Sequence, residues 1–259
     1  MIQTLLFLLC AVLICICILP YGIYWKIRGW NDPSRVCPGG QNLVNFWYKL
    51  LLKSTGARVH RYGRENITDR TALWVGNHQG DLDIILLFNE LGPLKSIVAK
   101  KETEKIPVVS MWMRLIDCIF MDRGNPRQTL ECIKKVQEWL EKGRSFVIFP
   151  EGTRSQGPDM NEFKPGALRC ALKAKVPIVP FVIDGSYKTF EQQGYVKKAD
   201  VNVSILPAIE PEEYEGLKTH ELAAMVQQRI QDEIYRLREL DGHPTPVEER
   251  KVWNAQQNS

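Results

Sequence analysis

A histidine and two carboxylates lie within seven residues of this chain, Asn77-His78-Gln79-Gly80-Asp81-Leu82-Asp83. Histidine titrates near neutrality, and a carboxylate on one ring nitrogen fixes its tautomer and raises its basicity. The run Thr71-Ala72-Leu73-Trp74-Val75 precedes the stretch and Ile84-Ile85-Leu86-Leu87-Phe88 follows it, so a strand hands over to a helix here. Such junctions place polar side chains at the mouth of a sheet, where ligands bind in open α/β folds. His78 and Asp83 are five residues apart, about 1.4 turns at ~3.6 residues per turn, so one regular helix would splay them. They meet only if His78 lies in the loop and Asp83 in the first helical turn. A satisfied loop histidine, beside an Asp81 or Asp83 that simply caps the helix, accounts for this stretch equally well.

Three more polar clusters follow predicted strands. Lys100-Lys101 follows one ending at Ala99, Asp122-Arg123-Gly124 one ending at Met121, and Pro150-Glu151-Gly152-Thr153-Arg154-Ser155 one ending at Phe149. If those strands run parallel, all four clusters converge at one edge of the sheet. Singly each has a plain reading: Lys100 as a solvated charge, Arg123 as a turn residue, Glu151-Gly152 as an ordinary loop. Together, Arg123, Arg154 and Lys100 form a cationic lining suited to a phosphate, held by charge-assisted or bidentate hydrogen bonds. Gly152 permits close backbone approach, with amides facing an anion. The chain has no G-x-S-x-G elbow and no cysteine in a nucleophile context. A His–Asp pair without a protein nucleophile is a general base for a substrate hydroxyl or for water.

The elements that must position these residues are legible in the periodicity. Strand signals cover 58–62, 72–75, 96–99, 119–121, 146–149, 178–183 and 201–206, with helical patterns over 82–91, 108–115, 128–140 and 167–174. Strands alternating with helical segments predict an α/β fold with a largely parallel sheet flanked by helices. In 128–140 the stripe Leu130, Ile133, Val136, Trp139 and Leu140 reads as core. Leu222, Val226, Ile230, Ile234 and Leu237 define a terminal amphipathic helix, and the polar residues beyond Asp241 read as a frayed tail.

From Ile2 to Trp25 there is no charged side chain. That run spans about 36 Å at ~1.5 Å per residue, enough for a ~30 Å hydrocarbon core. Pro20 and Gly22 predict a helix break after Leu19. Lys26, Arg28 and Arg35 follow the run and none precedes it, which places the bulk of the protein in the cytoplasm, membrane-associated. Residues 31–41 read as a turn-rich connection. Leu43, Phe46, Trp47, Leu50 and Leu51 then recur at helical spacing, as a second anchoring helix or as the first helix of the soluble domain. The expected organisation is an anchoring helical region over 1–55, an α/β domain over 56–240 and a polar tail over 241–259.

The net charge of +4 is too small to argue for nucleic acid, and suits an anionic membrane surface or phosphorylated substrates. Seven cysteines without a C-x-x-C pair give neither metal-ligand spacing nor a disulfide framework, and point to a reducing environment.

At this point a resemblance can be stated on the residues themselves. The stretch from Asn77 to Asp83 resembles the H-x-x-x-x-D box of the glycerolipid acyltransferases, the 1-acyl-glycerol-3-phosphate acyltransferase family. Phe149-Pro150-Glu151-Gly152-Thr153-Arg154-Ser155 is similar to that family's F-P-E-G-T-R-S box without a departure. Ile119-Phe120-Met121-Asp122-Arg123 resembles its second box and Val176-Pro177-Ile178-Val179-Pro180 its fourth, in family order over residues 56–186. One position departs: Gly80, where many members have serine. The resemblance implies acyl transfer from a thioester, acyl-CoA or acyl-carrier protein, to the free hydroxyl of a lysophospholipid at a membrane. It implies His78 as base, Asp83 as its orienting acid, and Lys100, Arg123, Glu151, Gly152, Thr153 and Arg154 as the acceptor site, with no metal or redox cofactor. Three other readings stay open on the residues: another lipid-alcohol acceptor, a hydrolase or metal-dependent enzyme with His78 and Asp83 as ligands, and a non-catalytic lipid-binding protein. His60 and His220 have no place in the site.

Overall fold

The computed structural model describes residues 2–27, 40–92, 95–115, 118–122 and 124–240. Its strands are β1 (Arg58–Tyr62), β2 (Leu73–Gly76), β3 (Ser96–Lys100), β4 (Ile119–Met121), β5 (Phe146–Ile148), β6 (Ile178–Asp184) and β7 (Asp200–Ile205). They form one sheet in the order β1-β7-β6-β2-β5-β3-β4. From β6 to β4 every neighbouring pair is parallel. β7 runs antiparallel to β6, and β1 pairs parallel with β7, so the sheet is mixed. No crossover helix lies between β6 and β7, and an antiparallel neighbour needs none. The four predicted clusters follow β2, β3, β4 and β5, which the parallel pairing brings to the same edge.

The helices are α1 (Ile2–Ile27), α2 (Gly40–Thr55), α3 (Leu82–Glu90), α4 (Pro107–Leu115), α5 (Pro126–Glu141), α6 (Arg169–Ala174), α7 (Pro211–Tyr214) and α8 (Thr219–Leu240). Strand alternation divides the core into two layers. Leu73, Val75, Phe146 and Ile148 join α5, α6 and α8 on one face. Trp74, Val147, Val179 and Phe181 join α2 and α3 on the other. Every residue of β2, β5 and β6 is buried, which is why these strands read as continuous apolar runs. All five expected apolar positions of α8 are buried. In α5 the buried stripe is Cys132, Ile133, Val136 and Leu140, while Leu130 is 59% exposed; the inward face is turned toward Cys132, and Leu130, about 200° round the helix from it at ~3.6 residues per turn, falls outside. Asn125 starts that helix: its side-chain oxygen accepts the amides of Arg127 and Gln128, and Pro126 follows at the first turn.

The expected break at Pro20 does not occur; α1 continues through it to Ile27. A proline inside a helix costs about 3 kcal/mol, and packing beyond it supports the continuation: Gly22 is buried, with Met111 of α4 pressed against its Cα face. α1 packs on both α2 and α4. At its other end Thr4 Oγ1 accepts the amide of Val196, 3.0 Å away. Between these contacts α1 leaves Leu5, Leu9, Val12 and Ile16 exposed. Residues 28–39, most of the predicted turn-rich connection, and the predicted tail lie outside the described residues, whereas Gly40 and Gln41 already belong to α2.

Candidate active site

β2 ends at Gly76 and α3 begins at Leu82, so His78 is a loop residue and Asp83 sits in the first helical turn. Asn77 extends the sheet by one step with its side chain: Nδ2 donates to the Ile183 carbonyl at 2.7 Å and Oδ1 accepts the Ile183 amide at 2.9 Å. Beyond it the loop folds back around Asp83. Oδ2 of Asp83 lies 2.7 Å from His78 Nδ1, and also accepts the amides of Gln79 at 2.6 Å and Gly80 at 2.9 Å. The Asp83 side chain is fully buried and that of His78 is 10% exposed. The His78 ring stacks on Phe149, centroids 4.1 Å apart and planes 17° apart, and Phe149 meets Phe181 edge-on. With Nδ1 donating to a carboxylate, Nε2 is left as the basic nitrogen.

Asp81 does not do the work expected of a cap. Its backbone is already helical and its side chain caps nothing. The carboxylate turns outward instead, Oδ2 lying 2.5 Å from Arg154 Nη1. Asp83 therefore serves both the histidine and the start of the helix.

The Phe149–Ser155 segment is joined to this loop from behind. Glu151 is 2% exposed; Oε1 accepts the His78 amide at 2.6 Å and Oε2 the Asn161 amide at 2.8 Å. Burial pushes its carboxyl up to about 7, against the pull of those hydrogen bonds and with a small contribution from the charge of Asp83. Glu151 thus fixes the backbone of His78, with an amide on each of its oxygens. Two backbone bonds continue the seam, Ser155 N–H to His78 O at 2.7 Å and Gln156 N–H to Gln79 O at 3.1 Å. Gly152 has φ +72°, a left-handed conformation that favours glycine. Thr153 is exposed and Arg154 partly so.

The other expected cations are less closely tied to the histidine. Lys100 ends β3, two strands from β2 and so about 10 Å away laterally; its Nζ lies 3.4 Å from Glu102 in an exposed pair. Arg123 lies outside the described residues. His60 pairs with Asp200 at 3.0 Å on β1 and β7.

The structure adds residues that the sequence did not single out. Gln79 Nε2 donates to Asp184 Oδ1 at 3.1 Å, and Gln79 Oε1 accepts the Gly185 amide at 2.8 Å. Arg238 holds the same aspartate with two nitrogens, Nε to Oδ2 at 3.0 Å and Nη2 to Oδ1 at 2.6 Å, and gives a further bond to Pro158 O. This ion pair is buried on both sides. An arginine four residues after Ile234, on the buried stripe of α8, was the available signal. Glu191 is a second addition, accepting the Asp81 amide at 2.7 Å while its Oε1 lies 3.4 Å from Arg154 Nη1. No periodicity or spacing marks it.

Comparison with known proteins fits this geometry. The family model described as Acyltransferase matches residues 58–184. A probable 1-acyl-sn-glycerol-3-phosphate acyltransferase of Mycoplasma genitalium is 34% identical over 203 residues, covering 73% of this chain and 74% of that protein. The corresponding protein of Mycoplasma pneumoniae is 36% identical over 156 residues, and that match spans 59% of each chain. The crystal structure of the 1-acyl-sn-glycerophosphate (LPA) acyltransferase PlsC from Thermotoga maritima superposes with a TM-score of 0.78 at 25% identity, over 91% of this chain and 95% of that one. Fold and site define one class of enzyme, and the chain belongs to the acyltransferase family. The relatives just described carry the name of one branch of it, the enzymes of 1-acyl-glycerol 3-phosphate.

Proposed function

We propose that this protein transfers a fatty acyl group from an acyl thioester to the free sn-2 hydroxyl of a 1-acyl-glycerol 3-phosphate, giving phosphatidic acid. The observation that carries the proposal is His78 held through Nδ1 by a fully buried Asp83, 2.7 Å away. His78 Nε2 takes the hydroxyl proton as the acceptor oxygen attacks the thioester carbonyl. Asp83 stabilises the imidazolium so formed. Collapse of the tetrahedral intermediate breaks the C–S bond, and the imidazolium returns the proton to the departing thiolate. The acceptor takes the place that serine holds in a triad, so no acyl-enzyme forms. Arg154 and Arg123, with Lys100, hold the acceptor phosphate. Acyl-CoA or acyl-carrier protein is the co-substrate, and the reading needs no metal or redox cofactor. The relatives' names support the acceptor.

The same reading seats the enzyme on a membrane with its catalytic domain in the cytoplasm. α1 touches the domain near both ends, at Val196 and at Met111, and exposes an apolar face between. That exposed apolar face is the surface this reading gives to lipid.

The test is a panel assay of the purified protein with acyl-CoA and several lysolipid acceptors, with products scored by mass. Lysophosphatidic acid is expected to be the preferred acceptor, and His78→Ala to cost about 10²- to 10⁴-fold in turnover. Near-normal turnover in that variant would remove the general base. Equal use of acceptors without a phosphate would move the enzyme to another lipid alcohol.

A further inference from the structure

Two carboxylates share one nitrogen of Arg154, and they differ in their access to water. Asp81 Oδ2 is 2.5 Å from Nη1, on a side chain 71% exposed. Glu191 Oε1 is 3.4 Å from the same nitrogen, on a side chain only 4% exposed. Glu191 is also fixed by a second bond, from the Asp81 amide. It fills the space above Gly80: a Cβ at position 80 would lie 2.5 Å from Glu191 Oε2. The departure of Gly80 from serine therefore has a physical counterpart, since the room a side chain would need is taken by this carboxylate. An exposed ion pair is screened and exchanges partners at little cost. A buried one does not, because removing either member strands a charge.

We propose that the Asp81 carboxylate is a resident stand-in for the acceptor's phosphate: it occupies Arg154 until a phosphate oxygen displaces it, while Glu191 stays and holds the guanidinium in place. Asp81 is then a specificity-determining residue and Glu191 a positioning residue. The inference rests on the assignment of Arg154 to phosphate binding made above. A phosphate monoester brings up to two negative charges and three acceptor oxygens against the single charge of Asp81, so it displaces the carboxylate. A neutral lipid alcohol has nothing with which to do so and meets a closed pair. An internal competitor thereby filters acceptors by charge.

Steady-state kinetics of the full chain in mixed micelles test this, with lysophosphatidic acid and acyl-CoA varied separately. Asp81→Asn removes the competitor and is expected to lower the acceptor KM about two- to fivefold, the range an exposed ion pair supports. Glu191→Gln is expected to raise it. General damage to the loop would raise KM in both variants, so opposite signs are diagnostic. An acceptor KM unchanged or raised in Asp81→Asn overturns the proposal. A fall confined to the acyl-CoA KM overturns it too, and gives Arg154 to the donor's phosphates. A fall in both variants makes Glu191 a second competitor and ends its positioning role. If the unaltered protein does not turn over lysophosphatidic acid, the proposed function fails first. Calorimetric binding of glycerol 3-phosphate then scores the inference separately: tighter than the parent in Asp81→Asn and weaker in Glu191→Gln upholds it, and any other order overturns it.

Discussion

Asp83 carries two duties on one oxygen, orienting His78 and accepting the two amides that close the loop around it. Asp83→Asn keeps the size and the acceptor oxygen but loses the charge that an imidazolium needs. Turnover is expected to fall about 10²- to 10⁴-fold with circular dichroism unchanged, and a loss under about tenfold would take Asp83 out of the mechanism. Glu151 makes a prediction about pH. Its carboxyl is raised from 4.5 to about 7, so the folded state favours the protonated form. Its contribution to stability is therefore full below about pH 4.5 and is lost as pH rises through 7. Relative to Glu151→Gln, the parent should lose about 3 kcal/mol of unfolding free energy between pH 4 and pH 8, measured by urea denaturation. A gain over that range would reverse the assignment. At this scale the meeting of His78 with Asp83 was legible, because it depends only on a loop histidine and an aspartate in the first helical turn, both set by local spacing. Spacing misread Asp81, whose partner Arg154 is 73 positions away and invisible to any local rule.

The elements were the most legible level, since each of the seven strand signals and each helical signal is a pattern of apolar residues that burial enforces. The antiparallel placement of β7 was not readable, because strand order depends on pairings between distant segments. Asp184 and Arg238 were missed for a similar reason. Each is a single polar residue, and only the packing of α8 across the end of β6 joins them. Arg238→Met leaves Asp184 buried without its counter-charge and is expected to cost about 3–5 kcal/mol of stability, with activity falling through Gln79. Adding Asp184→Leu should recover much of the stability but not the activity. Were the double variant fully active, the link from α8 to the catalytic loop would be structural only.

For the whole molecule, the apolar run at the N-terminus reads as a helix long enough to cross a membrane, and the structure adds where it packs on the domain. Over residues 2–24 partly covered and exposed positions of α1 recur at helical spacing, and the helix packs on α2 and α4. Deleting residues 1–25 is expected to shift the protein out of the membrane fraction, or into aggregates as the faces of α2 and α4 are uncovered. A membrane fraction unchanged in sedimentation would transfer anchoring to α2, where Phe46 and Leu50 are exposed. Pro20 was misjudged because propensity was weighed without the packing of Gly22 on Met111, and tertiary contacts routinely override propensity.

The clamp of Arg238 on Asp184 also sets an order of events during synthesis. At ~5–20 residues per second the ribosome needs about 10–40 s to go from the end of α1 to residue 238. Through that interval α1 is complete, while the loop bearing the histidine lacks its brace. On the function proposed above, the helix that would meet a membrane is thus complete well before the catalytic loop is set.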